Sequence, residues 1–195
     1  MTEKVHHLRS ASFNTRRNLP ASVGRKRCES NFLRAFERIY FARHLSGMAA
    51  GEFALGGFGV ADLVWIAWRP QPDTEEFSAL SLEKQLSRRH LFAFEAKIKD
   101  WQRALQQAFR YRYFADKAIV VMPVANAARA LDHLDTFKEM QVGLWTFDQS
   151  KSVIREHFTP TRTKALNNSA RQKAIKVLSS KFNLRKLREM ADTGI

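Results

Sequence analysis

From residue 91 to residue 148 short apolar runs alternate with amphipathic stretches, and that alternation leaves the chain few folds to choose from. Residues 91–98 read as a strand, and Asp100 can cap a helix running to about residue 114. Residues 117–123, with Ala-Ile-Val-Val-Met inside them, read as a short buried strand. A second amphipathic helix over 124–140 and a further strand over 143–148 complete the series. Strands that alternate with helices in this way belong on a largely parallel sheet joined by crossovers, in an α/β domain.

The flanking segments extend this frame. Phe32, Leu33, Phe36, Ile39 and Tyr40 recur at helical spacing and predict a helix over 29–45, ended by Gly47. A short strand over 52–55 and the turn Gly56-Gly57-Phe58-Gly59 lead into an apolar strand that ends at Trp68. Residues 69–89 open with Pro70 and Pro72 and read as a polar excursion with one short helix near its end. The expected architecture is therefore a mixed central β-sheet flanked by helices. It comprises a basic, loosely ordered arm over 1–27, an α/β core over 28–159 and a basic, helical extension over 160–195. In that extension Ala174, Val177, Leu178, Phe182, Leu184 and Leu187 can form an apolar stripe.

Composition narrows the function. The 195 residues carry 33 Lys and Arg against 19 Asp and Glu, for a net charge of +14, which favours a polyanionic partner, nucleic acid above all. A hydrophobic share of 45% with 15 Phe and 4 Trp argues for a folded domain of this size. Cys28 is the sole cysteine, which excludes an intrachain disulfide and a cysteine-type zinc cluster and suits a reducing cytoplasm. His6, His7, His44, His90, His133 and His157 lack metal-ligand spacing. No signal-peptide core opens the chain, and its most hydrophobic stretch, residues 51–68, is broken by Glu52 and Asp62, so no membrane span is expected.

Two charged features interrupt the apolar strands. Asp62 stands inside Gly59-Val60-Ala61-Asp62-Leu63-Val64-Trp65, and Glu95-Ala96-Lys97 closes Leu91-Phe92-Ala93-Phe94-Glu95. Taken alone, Asp62 reads as a buried acid hydrogen-bonded to backbone, and Glu95 with Lys97 as a half-exposed charge pair. Together they say more. Strand alternation puts Glu95 and Lys97 on one face, and Asp62 on a face with Val60 and Val64, so pairing the two strands brings all three residues to one spot. Two carboxylates about 4 Å apart repel by roughly 4 kcal/mol at an effective dielectric of 20. A Mg²⁺ ion removes that repulsion and prefers such hard oxygen ligands. Lys97 would then orient or deprotonate a water, or hold charge on a phosphate. Gly56, Gly57 and Gly59 make a tight turn and also permit close approach of a phosphodiester backbone.

An Asp on one core strand, Glu-x-Lys on the next, then a helix and another strand resembles the PD-(D/E)XK nuclease superfamily, with its restriction-endonuclease-like fold. Asp62, Glu95 and Lys97 fall on the positions of its motif, and the likeness covers roughly residues 24–148. Ala61 stands where the name-giving proline would be. The resemblance implies a metal-dependent nuclease, most readily a DNA endonuclease using Mg²⁺ or Mn²⁺. In it Asp62, Glu95 and the Ala96 carbonyl hold the metal and Lys97 serves the water.

Gly24-Arg25-Lys26-Arg27-Cys28-Glu29 looks like the basic, acid-bearing helix start of resolvase-like members, which makes Glu29 a further metal-site acid, with Glu37 as second choice. Gln107-Ala108-Phe109-Arg110-Tyr111 is similar to the Gln-x-x-x-Tyr helix of the RecB-like branch, which adds Gln107 and Tyr111 to the site. Arg25, Lys26, Arg27, Arg103, Arg110, Lys173 and Lys176 are candidate phosphate contacts. The resemblance admits a homodimer or a place in a larger nuclease or recombination complex. A non-catalytic nucleic-acid-binding or partner-binding module on the same fold is the alternative, and an unrelated RNA-binding domain a third.

Overall fold

The structure is a computed structural model and describes residues 5–8, 23–44, 47–67, 82–161 and 164–181. Strand β1 (Val5–Leu8) and helix α1 (Val23–Arg43) precede the hairpin of β2 (Gly47–Leu55) and β3 (Gly59–Ala67). Helix α2 (Leu82–Ser87), β4 (Leu91–Ala96), α3 (Trp101–Tyr111) and β5 (Lys117–Pro123) follow. After a 3₁₀ turn over Val124–Asn126 come α4 (Ala128–Asp132), α5 (Leu134–Glu139), β6 (Gly143–Asp148), β7 (Val153–Phe158) and α6 (Asn168–Lys181).

The seven strands form one sheet whose spatial order is their chain order. Strands β4, β5 and β6 run parallel, β1 runs parallel to β2, and the β2–β3, β3–β4 and β6–β7 pairs are antiparallel. This is the mixed α/β sheet expected from the alternation. Its parallel centre is covered on both faces, which is why β5 is a continuous apolar run and does not alternate. Phe32, Phe36 and Tyr40 of α1 pack on Leu63, Trp65, Phe94, Ile119, Val121, Trp145 and Phe147. Helices α2 to α6 line the other face, through Leu86, Leu105, Ala108, Ala130, Phe137, Ala174 and Leu178 among others.

Four expectations need correction. The arm over 1–27 contains β1, which pairs with β2 from Val5 opposite Gly47 to Leu8 opposite Ala50, and α1 already begins at Val23. The helix predicted over 124–140 is broken into three short pieces. At His133 the backbone leaves helical geometry (φ −109°, ψ 28°) as its ring stacks on Trp101 at 4.8 Å. Strand β7 was not anticipated. Asp148 Oδ1 accepts hydrogen bonds from the Ser150 amide and hydroxyl and the Lys151 amide, and so turns the chain back along β6.

The fourth correction concerns the extension, whose helix begins at Asn168 and belongs to the core. Arg171 donates to Asp116 Oδ2 at 2.8 Å and to the Arg89 carbonyl at 2.7 Å, while the Leu91 amide donates to the same carboxylate oxygen at 2.7 Å. One basic residue of the tail is therefore an internal clamp. Phe182, Leu184 and Leu187 lie outside the described residues.

Gly47 does more than follow a helix, since that helix ends at Arg43 and Gly47 opens β2. A Cβ there would collide with the indole of Trp65, a ring that is itself buried. Gly47→Ala is therefore expected to lower stability by about 1–3 kcal/mol in urea denaturation. An unchanged midpoint would mean that Trp65 has a second rotamer open to it.

Candidate active site

The β3–β4 register pairs Leu63 with Phe94, so the next step along both strands sets Asp62 across from Glu95. The two strands place both acids without any loop. Strand β4 ends at Ala96, but the Lys97 amide still donates to the Val121 carbonyl at 3.1 Å, which holds Lys97 at the mouth of the sheet. Its Nζ stands 3.0 Å from Glu95 Oε1 and 3.9 Å from Glu29 Oε2. Glu29 arrives on α1, from the opposite layer, so four charged groups meet where the sheet ends. The bland reading of Asp62 also holds in part, since its Oδ2 accepts a hydrogen bond from the Ala96 amide at 2.7 Å.

The simple alternation used to place Asp62 fails locally. Ala61 and Val64 enter the same core layer, as do Ala50 and Phe53 across from them. The hairpin therefore switches faces around Gly51, Glu52 and Asp62, and Glu52 takes a left-handed φ of 48° at that step. Asp62 thus sits at a twist of the hairpin rather than on a flat strand face.

Tyr111, on α3, joins the acids from above the sheet. Its hydroxyl oxygen is 2.5 Å from the Val60 carbonyl and 2.6 Å from Glu95 Oε2. One phenolic proton cannot serve both acceptors. The Val60 carbonyl and the Glu95 carboxylate therefore compete for the Tyr111 proton. Desolvation, helped by Glu29, raises the Glu95 pKa against the opposing pull of Lys97 and Tyr111. Burial, then Glu95, then Glu29 push the Asp62 carboxyl up to about 8, against Lys97 and the Ala96 amide. Burial pulls the Lys97 ammonium down, but Glu95, Asp62 and Glu29 together hold it above its ordinary value. Burial and Glu95 likewise raise the Tyr111 phenol.

Glu95, 1% exposed, has Oε1 3.0 Å from the Lys97 ammonium and Oε2 on the Tyr111 hydroxyl. Two carboxyls set across from each other on neighbouring strands, one of them buried, are a fit for a hard divalent cation. The donors that converge are Asp62 and Glu95, with Ala96 next in the chain. Glu29 faces Lys97, and among the described residues no group of three or more His, Cys, Asp or Glu side chains is arranged to hold a metal.

Gln107 lies one helical turn before Tyr111, and its Oε1 is buried without a partner. Replacing it with Met removes that unmet acceptor at similar volume. Gln107→Met is expected to leave thermal stability equal or higher by up to about 1 kcal/mol while lowering turnover about tenfold. Tyr111→Phe strips a partner from both Val60 and Glu95 and should cost about 1–3 kcal/mol along with a similar loss of turnover. Unchanged turnover in both variants would make the pair plain packing residues.

Arg103 and Arg110 are exposed on α3, and Lys173 and Lys176 on α6. Arg25, Lys26 and Arg27 lie within α1, with side chains outside the described residues. The Val60 carbonyl was not foreseen as a partner of Tyr111, because a backbone acceptor has no signature in sequence. Among the described residues no helix is long and apolar enough to cross a membrane.

No protein family matches the chain, and no curated protein does. Among solved structures it is similar to a protein of unknown function from Silicibacter pomeroyi, at 16% identity and a TM-score of 0.47, over 80% of this chain and 88% of that one.

Proposed function

We propose that this protein is a metal-dependent nuclease that hydrolyses phosphodiester bonds in nucleic acid, with DNA as the favoured substrate. The observation that carries the reading is the pairing of Asp62 and Glu95 across neighbouring strands at the mouth of the sheet, with Lys97 Nζ 3.0 Å from the buried Glu95 carboxylate. A purely structural site would gain from replacing such a cluster with apolar side chains. Asp62, Glu95 and the Ala96 carbonyl would hold Mg²⁺ or Mn²⁺. Bound there, the ion would supply Lewis-acid polarisation of the phosphate and a more acidic water.

The chain's own groups do the rest. Lys97, whose pKa the three carboxylates hold high in the metal-free protein, acts as a donor to the developing phosphate charge or to a water. Tyr111 fixes the orientation of Glu95 through Oε2 and leaves Oε1 facing Lys97. The exposed cations Arg103, Arg110, Lys173 and Lys176 would contact phosphates along the strand.

Incubation with supercoiled, linear and branched DNA and with RNA, with and without Mn²⁺, tests the reading. Metal-dependent cleavage of any of these supports it. Absence of cleavage with all of them, while the protein still binds them, would leave a binding module on this fold.

A further inference from the structure

The acidic site does not account for the surface beside it. Among the described residues three large apolar side chains are exposed, and two of them, Tyr113 and Leu166, are neighbours. The Asn167 amide donates to the Tyr113 carbonyl at 3.1 Å and the Leu166 amide to the Arg112 carbonyl at 2.9 Å. Tyr113 belongs to a row of rings: its centroid is 5.5 Å from that of Phe58, with 30° between the planes, and 6.4 Å from that of Phe109, edge-on. Phe58 and Phe109 are half-buried and pack against the core beneath the exposed Tyr113. The turn that presents Phe58 depends on glycine, with φ of 89° at Gly57 and 96° at Gly59.

Cations border the rings. The Arg112 guanidinium carbon lies 5.7 Å from the centre of the Phe109 ring. Lys173 Nζ reaches the turn, 3.8 Å from where a Gly56 Cβ would stand. An aromatic cluster with an exposed member beside cations is what sequence-tolerant binding of unpaired nucleic acid uses, with the rings taking bases and the cations the backbone. The rings are tied to the acids through the core: Phe58 lies 6.5 Å from the buried Phe114, and Phe114 lies 5.9 Å from the buried Tyr111, whose hydroxyl donates to Glu95. A protein partner would explain the rings, but not the cations beside them on a chain of charge +14.

Resting on the nuclease reading, we infer that Phe58, Phe109 and Tyr113 form a stacking platform for unpaired bases flanking the phosphate held at Asp62 and Glu95. The substrate is then a single strand, or a duplex with an unpaired segment. Fully paired DNA does not suit the platform, because its bases are stacked on one another and offer it no free face.

Metal-free binding tests the inference independently of turnover. Fluorescence anisotropy in EDTA would compare an oligothymidylate of about twelve nucleotides with an abasic strand of equal length and charge, and with a blunt duplex. The wild-type protein should bind the oligothymidylate about tenfold more tightly than the abasic strand. Tyr113→Ala should remove most of that preference without changing affinity for the abasic strand, and Tyr113→Phe should keep it. Phe58→Leu provides a second, independent loss. Tyr113 is exposed, so the melting temperature of its Ala variant should stay near that of the wild type.

Equal affinity of the wild type for both strands, or binding of neither, overturns the platform. So does a loss in Tyr113→Ala that the abasic strand shares, or tighter binding of the blunt duplex. A changed sedimentation coefficient in Tyr113→Ala with the base preference intact would assign the patch to a protein contact and also overturn it. Base preference without any cleavage refutes the nuclease reading and leaves the platform standing. Metal-dependent cleavage without base preference does the reverse.

Discussion

Asp62→Asn, Glu95→Gln and Lys97→Ala should each reduce cleavage by about a thousandfold or more, measured as initial rates with Mn²⁺ at saturating substrate. The three differ in their effect on stability, which makes the test more than a search for inactive variants. Asp62→Asn removes one of two crowded acids and keeps an oxygen that can accept from the Ala96 amide, so the metal-free protein should melt higher at neutral pH. Glu95→Gln should do the same, since an amide NH₂ can donate to the Tyr111 oxygen and leave the phenolic proton to the Val60 carbonyl. Lys97→Ala takes the counter-charge from a carboxylate that is 1% exposed and should lower stability by up to about 3–5 kcal/mol. Full cleavage by any of the three variants would sink the assignment of these residues to chemistry.

Metal-free stability should fall as pH rises from about 4 to 8. The sign follows from Asp62, whose carboxyl is pushed from 3.8 up to about 8 in the folded chain. Over that interval the folded state holds a proton that the unfolded state has released. The stabilisation is therefore complete below about pH 4 and lost as pH passes through 8. Glu95, also raised, acts in the same direction. Asp62 is only half-buried as a residue, so after allowing for solvent screening the loss is on the order of 3 kcal/mol. Urea denaturation at a series of pH values in EDTA measures it, and Asp62→Asn should flatten the curve.

The same proton must leave when a divalent cation arrives. Calorimetric Mn²⁺ binding near pH 7 should accordingly show a heat that changes with the ionisation enthalpy of the buffer. A flat pH profile together with buffer-independent heats would mean that Asp62 and Glu95 are already ionised in the metal-free protein.

Much of this architecture is legible along the chain, because local periodicity reports burial. The apolar run of β5 and the strand–helix series of β4, α3, β5 and β6 follow from what each segment must hide. The extra strand β7 escaped such a reading. It is an edge strand whose existence depends on an Asp148 turn and on pairing with β6, and its own pattern of half-exposed residues is weak. The broken helix after Pro123 escaped it for a related reason: the stacking of His133 on Trp101 is a contact between segments distant in sequence.

The site divides in the same way. The sequence by itself determined which groups must be answered for, since Asp62, Glu95 and Lys97 interrupt strands that are otherwise apolar and an ionised group does not stay buried there without a partner. Tertiary structure alone decided their register. It also decided the hairpin twist at Glu52, the approach of Glu29 to Lys97, the sharing of the Tyr111 hydroxyl between Val60 and Glu95, and the conversion of Arg171 from a tail charge into a clamp on Asp116. Burial is a demand that each segment carries in its own residues, whereas the partner that satisfies a charge lies wherever packing brings another segment, often a backbone group with no letter of its own.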